Sequence, residues 1–397
     1  MEKYSAFRDP GTGIQPFLTP VPPSGSNVLA KLALPLGFVL GIFRTAIILI
    51  LAFLHTVLVQ GICFVLLPIP AVHRSVTYVI TAVVCRSALF LLGLFWIPVE
   101  NVTRKRGRVG KNEESWSPKA GDLIVSNWVS WIEILWLAFR FNPVFVLPVS
   151  SSETTPSVVR ASTPTTSTPG RRMGTGSAAI SAPSTRSSST PISIIGFRQV
   201  SLLSILRSTG EVPLFNAILD DTKGNSLEEI RKTASRPVVV FPECTTSNGR
   251  GLLRFAELFS GRDVPTGGCK VFVMCIRYDP PSAFSPTLTH SIPTLLNPVP
   301  HLFTLTTALK PLTASIRLLA PSESPSYPTF LVNEVVSGNI GCDVLWTTCG
   351  ELIMQMGKLK KNRDGMGRQG RVLRLLSRKE EVGDICGRIS RGLVCCL

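Results

Sequence analysis

The segment with the strongest indication of chemistry is F-P-E-C-T-T-S-N-G-R, residues 241–250, which closes a short β-branched run. The run R-P-V-V-V-F-P-E reads as a buried strand that ends in proline, and such strand ends are where α/β sheets place ligands. Glu243 and Arg250 offer a carboxylate and a cation to a polar headgroup. The alternative is an ordinary exit from a strand into a loop, capped by Thr245 or Ser247.

A second candidate position follows an earlier strand. The pattern L-I-V-S-N predicts a short buried strand that ends at Asn127, and W-I-E-I-L-W-L-A-F predicts an apolar helix that carries Glu133. Trp128 lies between them, and its indole N–H donates hydrogen bonds but cannot accept a proton. Glu133 is a candidate general base if burial raises its pKa. The alternatives are a carboxylate on the helix surface and an ion pair with Arg140.

The stretch F-P-E-C-T-T-S-N-G-R-G-L-L resembles the F-P-E-G-T motif of the lysophosphatidate acyltransferase superfamily, and its extended form is similar to that of the fungal lysophosphatidate acyltransferase-like branch. S-N-W-V-S-W-I-E stands where the family has H-x-x-x-x-D, with Trp128 at the histidine position and Glu133 at the aspartate position. In the family the histidine is the general base and the aspartate orients it. Loss of general-base assistance removes a factor of about 10²–10⁴ in rate.

Two weaker motifs follow in the order that the family has. G-E-V-P-L-F-N stands where a glycine-led motif ends in arginine, with Asn216 in the place of that arginine. V-F-V-M-C-I-R-Y resembles the fourth motif and supplies Arg277. Cys244 stands at the glycine of F-P-E-G-T, so a turn that needs a positive φ there would be strained. The resemblance covers about residues 122–278.

The resemblance implies transfer of a fatty acyl group from acyl-CoA to a lysophospholipid such as lysophosphatidate, with acyl-CoA as co-substrate and no metal or bound cofactor. It assigns the catalytic position to Glu133. The implied substrate-binding residues are Asn127, Trp128, Glu243, Cys244, Thr245, Arg250 and Arg277. Asn127 and Trp128 would shape the acceptor pocket together with Glu133. Glu243, Thr245 and Arg250 would hold the glycerol backbone and the phosphate, which the planar guanidinium of arginine is suited to bind.

Two other functions stay open. The replaced histidine, together with Cys244, Asn216 and Thr246, fits a catalytically impaired pseudoenzyme that keeps the fold as a lipid-binding or scaffolding protein. A basic membrane protein unrelated to acyl transfer would carry the ordered motifs by coincidence. His290 and His301 lie in a proline-rich stretch and are expected on the surface, although either could fold back towards the missing base.

Strand patterns that alternate with helix patterns predict an α/β domain with a largely parallel sheet flanked by helices, preceded by N-terminal membrane helices. The resemblance identifies this domain as glycerolipid acyltransferase-like, and we place it at residues 115–149 and 192–357. The Ser/Thr/Pro-rich stretch 150–191 is predicted to be a disordered insertion, and the lead-in 1–30 is predicted to be disordered as well. Residues 358–397 form a basic tail.

Residues 31–100 are predicted to be a membrane anchor. The apolar run 45–67 is long enough to cross a bilayer as a helix. A second apolar stretch, 76–96, carries Arg86 in its middle, so it either pairs in a hairpin or lies at the interface with its charge among the headgroups. A basic cluster at 104–111 then indicates by the positive-inside rule that the domain faces the cytosol, at the endoplasmic reticulum or a lipid droplet.

Charge and cysteine content narrow the partners. The net charge of +16 requires an anionic partner, and a long apolar N-terminus without a recognisable nucleic-acid module favours an anionic membrane surface over nucleic acid. The ten cysteines form no C-x-x-C pair and only four histidines occur in the sequence, so a zinc site is not expected.

Overall fold

The computed structural model describes residues 8–9, 12–22, 28–66, 68–104, 115–150, 194–212, 225–256, 268–336 and 343–362, and residue 369. Of the predicted insertion 150–191, all but the first residue lies outside these ranges. Most of the predicted tail 358–397 lies outside them as well, apart from its first five residues and Gln369.

Within the described ranges a seven-stranded sheet forms the centre of the domain. The strands are β1 (Val99–Val102), β2 (Leu123–Ser126), β3 (Val144–Ser150), β4 (Ile194–Val200), β5 (Val238–Val240), β6 (Gly251–Leu252), β7 (Val271–Tyr278), β8 (Ala314–Leu319) and β9 (Lys360–Lys361). The order across the sheet is β1-β8-β7-β2-β5-β3-β4, and β6 pairs separately with β9. The central strands β7, β2, β5 and β3 are parallel, whereas β4 and β8 are antiparallel to their central neighbours. The predicted α/β class with a largely parallel sheet is confirmed.

Helices cover both faces of this sheet. In the described chain they are α1 (Val28–Thr56), α2 (Pro70–Leu91), α3 (Ile132–Phe141), α4 (Leu202–Arg207), α5 (Leu227–Thr233), α6 (Val299–Thr306) and α7 (Val344–Gly357). Successive side chains of a strand point to opposite faces, so β2 sends Ile124 to one hydrophobic cluster and Val125 to the other. The first cluster includes residues of α2, α3, α4 and α6, and the second includes residues of α5 and α7.

Two helices of the described chain are long and apolar enough to cross a membrane, judged by length and composition. One spans Leu32–Val59 and the other coincides with α2. The first begins before the predicted stretch 45–67, because the residues from Leu32 onward are already mostly apolar. The two helices contact each other, with His55 Nε2 and Thr81 Oγ1 3.1 Å apart. Whether α2 spans a membrane in a hairpin with α1 or lies at the interface stays a prediction.

The guanidinium of Arg86 is hydrogen-bonded to the chain just beyond the end of α2. Its guanidinium donates to the carbonyl of Leu94 at 3.2 Å and to the carbonyl of Phe95 at 2.7 Å. The side chain therefore needs no acidic partner, because two backbone carbonyls just beyond the helix accept its hydrogen bonds. Soon afterwards β1 begins at Val99 and pairs with β8 in the sheet. The last residues of the predicted anchor 31–100 thus belong to the domain.

The first apolar helix packs closely against α6 through two glycines. A Cβ added to Gly37 would lie 2.8 Å from the carbonyl oxygen of Thr307, and one added to Gly41 would lie 2.7 Å from Thr307 Cγ2. One turn further along α1, Thr45 Oγ1 and Thr306 Oγ1 are 2.7 Å apart. Small residues spaced by four allow such a close approach. This part of α1 is therefore docked directly on the domain.

Part of the lead-in predicted to be disordered is packed against the domain. Phe17 is 2% exposed, and its carbonyl accepts a hydrogen bond from Ser291 Oγ at 2.9 Å. The carbonyl of Pro16 accepts from the N–H of Asn248 at 2.8 Å. The predicted disorder of 1–30 therefore does not extend to these residues. Proline disfavours regular structure in this segment, but its carbonyls accept hydrogen bonds from Asn248 in the turn that follows β5 and from Ser291.

Candidate functional site

The candidate site lies at the carboxyl ends of the adjacent parallel strands β2 and β5. Val125 pairs with Val240 in this ladder, so both strands end at the same edge of the sheet. The chain continues from them into residues 127–131 and 241–248. Parallel strands bring together loops that are distant in sequence, and ligands of α/β proteins bind at this edge. The two segments selected in the sequence therefore lie side by side.

Glu243 joins the two segments through its side chain. Its Oε2 accepts a hydrogen bond from the N–H of Trp128 at 2.7 Å, and its Oε1 accepts from the N–H of Leu253 at 2.8 Å. The residue is 1% exposed. Burial raises the pKa of Glu243 to about 8, although both N–H donors favour the charged form. Since both oxygens bind backbone, Glu243 holds the loop after β2 to the loop after β5.

Trp128, at the position that the resemblance assigns to histidine, fills space beside this link. Its indole stacks on Phe241, with ring centroids 4.9 Å apart and an interplanar angle of 24°. The residue is 1% exposed, and its Nε1 has no hydrogen-bond partner in the described chain. A buried N–H without a partner costs free energy, which the large buried aromatic area offsets. Trp128 therefore packs the site and supplies no proton acceptor.

Glu133 lies in the first turn of α3 and binds the turn that precedes it. Oε1 accepts from the N–H of Val129 at 2.5 Å and from the N–H of Ser130 at 2.7 Å, and Oε2 accepts from the hydroxyl of Tyr278. The residue is fully buried, so neither predicted alternative, a surface carboxylate or an ion pair with Arg140, is observed. Burial raises the pKa of Glu133 to about 7. That value suits a base, but both oxygens are already hydrogen-bonded.

Asn127 fastens the end of β2 to β7. Its Nδ2 donates to the carbonyl of Ile276 at 3.0 Å, and its Oδ1 accepts from the N–H of Ile276 at 2.8 Å. The side-chain amide thus pairs with the neighbouring strand as a backbone amide would. Asn127 is 1% exposed, and we infer that it positions the loop after β2 rather than contacting substrate.

Cys244 adopts the left-handed backbone conformation that the glycine of the family motif would favour. Its φ is +58°, and its N–H donates to the carbonyl of Phe241 at 3.0 Å to close the turn. A residue with a Cβ is strained there, as expected from the sequence. The side chain packs into the second hydrophobic cluster, where burial raises the pKa of the thiol. Cys244 therefore shapes the turn.

Thr245 is covered by a residue from the C-terminal part of the chain. Its hydroxyl donates to the carbonyl of Glu211 at 3.2 Å and also contacts Oε1 of Gln369. The amide of Gln369 donates to the carbonyl of Gly210 at 3.1 Å and to the carbonyl of Ser291 at 2.9 Å. The hydroxyl predicted to hold substrate is thus engaged within the protein.

The two arginines of the predicted binding set are exposed. Arg277 precedes Tyr278 on β7, and strand alternation sends its side chain to the face opposite the Tyr278–Glu133 contact. The structure therefore does not bring Arg277 to Glu133. Arg250 follows the turn after β5 and stays at the surface. Asn216 lies outside the described residues.

Two histidines fold back onto the loop after β2. His290 is 3% exposed, and its N–H donates to the carbonyl of Val129 at 2.9 Å. His301, half-buried on α6, stacks on His290 with ring centroids 4.7 Å apart. Its Nδ1 accepts from Trp131 Nε1 at 2.9 Å, and its Nε2 donates to the carbonyl of Thr287 at 3.0 Å. The expectation that both histidines lie on the surface is wrong, because the proline-rich stretch turns back over the site.

The ring of His290 has a fixed orientation. Asn297 Nδ2 donates to the carbonyls of Arg207 at 2.5 Å and Thr209 at 2.6 Å, so its Oδ1 is the acceptor for His290 Nε2, also at 2.5 Å. Nε2 therefore carries the proton, and Nδ1 has a lone pair without a hydrogen-bond partner in the described chain. Burial lowers the pKa of His290, which keeps the ring neutral. No local sequence pattern predicts the position of His290, because it depends on a loop that folds back onto a segment far away in the sequence.

No protein-family model, no curated protein and no solved structure matches this chain. The resemblance drawn from the motifs therefore stays a prediction.

Proposed function

We propose that the protein is a membrane-bound homologue of the glycerolipid acyltransferases and transfers a fatty acyl group from acyl-CoA to a lysophospholipid such as lysophosphatidate. The observation that carries the proposal is the 2.7 Å hydrogen bond from the N–H of Trp128 to the carboxylate of Glu243. It joins, across 115 positions of sequence, the two segments that resemble the motifs of the family. They meet at the edge of a parallel sheet where α/β proteins bind ligands.

The reaction needs a proton acceptor, and we assign that role to His290. The acceptor hydroxyl forms a C–O bond with the thioester carbonyl carbon, the C–S bond breaks, and the hydroxyl proton passes through the base to the leaving thiolate of CoA. His290 is bonded through its backbone to Val129, the residue after Trp128. Its neutral ring is oriented by Asn297 at Nε2 and keeps a lone pair at Nδ1. A histidine from a different part of the chain would thus stand in for the one that Trp128 replaces.

The remaining predicted residues divide between positioning and binding. Asn127, Glu133 and Glu243 bind backbone N–H or C=O groups and hold the loops in place. Arg250 is exposed beside the turn after β5 and is the residue we assign to the phosphate, because guanidinium groups bind phosphate with two parallel hydrogen bonds.

Membrane association follows from the same proposal. The helices α1 and α2 are long and apolar enough to cross or enter a bilayer, and the net charge of +16 suits an anionic membrane surface. We place the domain on the cytosolic side of the endoplasmic reticulum or of a lipid droplet, since the basic cluster at 104–111 follows the apolar helices in the sequence.

A second function, lipid binding without turnover, is favoured by Trp128 itself. The indole occupies the place where the resemblance puts the base, and it stacks on Phe241 inside the core. Glu133 and Glu243 have both carboxylate oxygens hydrogen-bonded within the protein. A protein that kept this fold as a lipid-binding or scaffolding module would need none of these groups free.

An acyl-transfer assay on the purified full chain in lipid nanodiscs separates the two functions. Labelled acyl-CoA and a panel of lysophospholipids serve as substrates, and we expect His290→Gln to lower kcat by about 10²–10⁴, because glutamine can still donate to Asn297 but accepts no proton. His301→Gln is the matched control, since both ring nitrogens of His301 are already hydrogen-bonded.

Four outcomes are informative. Turnover that falls in His290→Gln and persists in His301→Gln supports the enzyme with the assigned base. Turnover that is equal in both variants rejects His290 as the base. Product formation no greater than that of empty nanodiscs rejects the enzyme, and binding of labelled lysophosphatidate then supports the lipid-binding function, whereas loss of both signals rejects both functions.

A further inference from the structure

Two adjacent leucines protrude from the loop that connects the site to α6. Leu295 is 98% exposed and Leu296 is 68% exposed. They form the middle of a turn in which the N–H of Asn297 donates to the carbonyl of Thr294 at 3.1 Å. Isolated exposed leucines are common, but a convex tip made of two neighbouring leucines is an apolar surface of the kind that marks an interaction site.

The base of this loop is held firmly, so the exposed tip has a defined place. The side chain of Asn297 donates to the carbonyls of Arg207 and Thr209 at the end of α4. On the other side of the tip, the N–H of Val299 donates to the carbonyl of Leu296 at 2.7 Å as α6 begins. The two leucines therefore project from a fixed turn that runs directly into α6.

The helix that follows the tip is docked on the first apolar helix. Phe38 and Phe303 contact edge to face, with ring centroids 5.3 Å apart. Further along α1, Arg44 Nη1 donates to the carbonyl of Thr306 at 3.3 Å. The contacted residues of α1 lie within the apolar span Leu32–Val59. α6 and the loop before it are therefore held beside a helix that is apolar enough to cross a bilayer.

Exposed apolar side chains also occur on α1 and just beyond the C-terminal end of α6. Phe38 is 55% exposed although it touches Phe303, and Leu309, two residues beyond Thr307, is 39% exposed. Two cations are exposed nearby, namely Arg207, whose carbonyl binds Asn297 at the base of the tip, and Lys310, which follows Leu309. Apolar groups that enter the acyl region, with basic groups at the level of the headgroups, are typical of segments that lie in a membrane interface.

We propose that Leu295 and Leu296 insert into the bilayer leaflet that surrounds the first half of α1, so that the loop carrying His290 and Asn297 is a second membrane contact of the domain. The proposal rests on the membrane association of the proposed function and not on catalysis. It commits to lipid as the partner because the tip is apolar and highly exposed, and because it precedes a helix that is docked on the apolar span Leu32–Val59. A lysophospholipid leaving that leaflet would then reach the site beside the inserted loop.

Photocrosslinking of the full chain tests this contact. A benzophenone amino acid is introduced at position 295, and the protein is reconstituted into vesicles of phosphatidylcholine and phosphatidic acid that carry labelled phospholipid. Position 331 is the matched control, because Leu331 is also a well-exposed leucine (60%). It lies far from the tip: it follows Ser326, whose hydroxyl accepts from the N–H of Val271 at the start of β7, whereas Tyr278 and the site are at the end of that strand. Position 53 on α1 is the positive control, since Phe53 is 71% exposed within the apolar span.

We expect labelled lipid adducts at positions 295 and 53 and several-fold less at position 331. Adducts at position 53 without adducts at position 295 would overturn the loop contact while leaving the membrane helix intact. An adduct of position 295 with a second copy of the chain in place of lipid would also overturn it. Lipid adducts at none of the three positions would overturn the membrane association itself.

Discussion

Glu243 accepts a hydrogen bond from the backbone N–H of Trp128 at 2.7 Å and so connects two loops that are 115 residues apart. Its other carboxylate oxygen accepts from the N–H of Leu253 at 2.8 Å. A carboxylate has two acceptor oxygens, whereas an amide has one. Glu243, which the resemblance assigns to substrate binding, therefore needs both oxygens to hold the two loops, and the effect of losing one of them on stability can be measured.

Above about pH 8, the pKa to which burial raises Glu243, we expect Glu243→Gln to lower the free energy of unfolding by about 1–3 kcal/mol, because the new NH₂ group would face one of the two backbone donors and leave it without an acceptor. Thermal unfolding of the chain in detergent measures the change. Glu351→Gln is the control, since Glu351 pairs with the exposed Lys361 at 2.6 Å, and such surface pairs contribute about 0–1 kcal/mol. Equal unfolding temperatures for the two variants would contradict the bridging role of Glu243.

We expect Glu133→Gln to have the opposite effect at raised pH. In Glu133 one oxygen accepts both backbone N–H groups, and the other faces the hydroxyl of Tyr278. Glutamine can keep its oxygen on the backbone donors and direct its NH₂ group to the oxygen of Tyr278. It therefore imitates the protonated glutamate without the cost of burying a charge.

The pH dependence of this variant follows from the raised pKa. Burial lifts the pKa of Glu133 to about 7, so the folded chain keeps a proton that the unfolded chain releases near pH 4.3 (about the model-peptide value). The contribution of Glu133 to stability is complete below that lower pKa and is lost as the pH rises through about 7. Chemical unfolding near pH 5 and near pH 8 should show a smaller loss in Glu133→Gln than in the unchanged chain. A larger loss in the variant would reject the buried protonated carboxyl.

The strands around these residues could be predicted from the sequence, but the irregular loops that fold over the site could not. Short β-branched runs predicted β2, β5 and β7, and parallel pairing brings the ends of neighbouring strands to one edge. Arg277 and Tyr278 are adjacent on β7, so strand alternation alone allows only one of them to face the loop of Glu133. The sequence could have excluded Arg277 from the site on this ground, and the structure does place Tyr278 there.

The position of His290 could not be predicted in this way. It reaches Val129 through a loop that follows no repeating pattern, and its ring is fixed by Asn297, which is in turn fixed by carbonyls at the end of α4. The packing of Phe17 is of the same kind, since it depends on Ser291 in that loop. Contacts between irregular segments leave no periodic signal in the residues that make them, whereas strands and helices do.

The docking of α1 on α6 predicts different costs for two similar substitutions. In Gly37→Ala the new Cβ meets the backbone carbonyl of Thr307 at 2.8 Å, which cannot move without shifting the helix end. In Gly41→Ala the Cβ meets the Cγ2 methyl of Thr307 at 2.7 Å. We expect both variants to unfold at lower temperature in detergent, although alanine is otherwise favoured over glycine in a helix by about 1 kcal/mol.

A second substitution separates the two contacts. Thr307→Ser removes the Cγ2 methyl and keeps the hydroxyl, which donates to the carbonyl of Thr304 at 2.8 Å. It should restore the stability of Gly41→Ala and leave that of Gly37→Ala low. Rescue of both variants, or of neither, would contradict the close packing of α1 against the end of α6.

The backbone of Cys244 provides a test of strain in the turn that closes the site. Its φ of +58° is unfavourable for a residue with a Cβ, at a cost of about 1–2 kcal/mol that glycine does not carry. Cys275 is the matched control, because its thiol is buried in the same cluster but its backbone is extended in β7. Cys244→Gly and Cys275→Gly both lose a buried thiol and gain flexibility in the unfolded chain, yet only the first relieves a strained φ. We therefore expect Cys244→Gly to be less destabilising than Cys275→Gly by about 1–2 kcal/mol in chemical unfolding. Equal losses would mean that the turn holds Cys244 without strain, and that a cysteine at the glycine position of the motif costs the protein nothing.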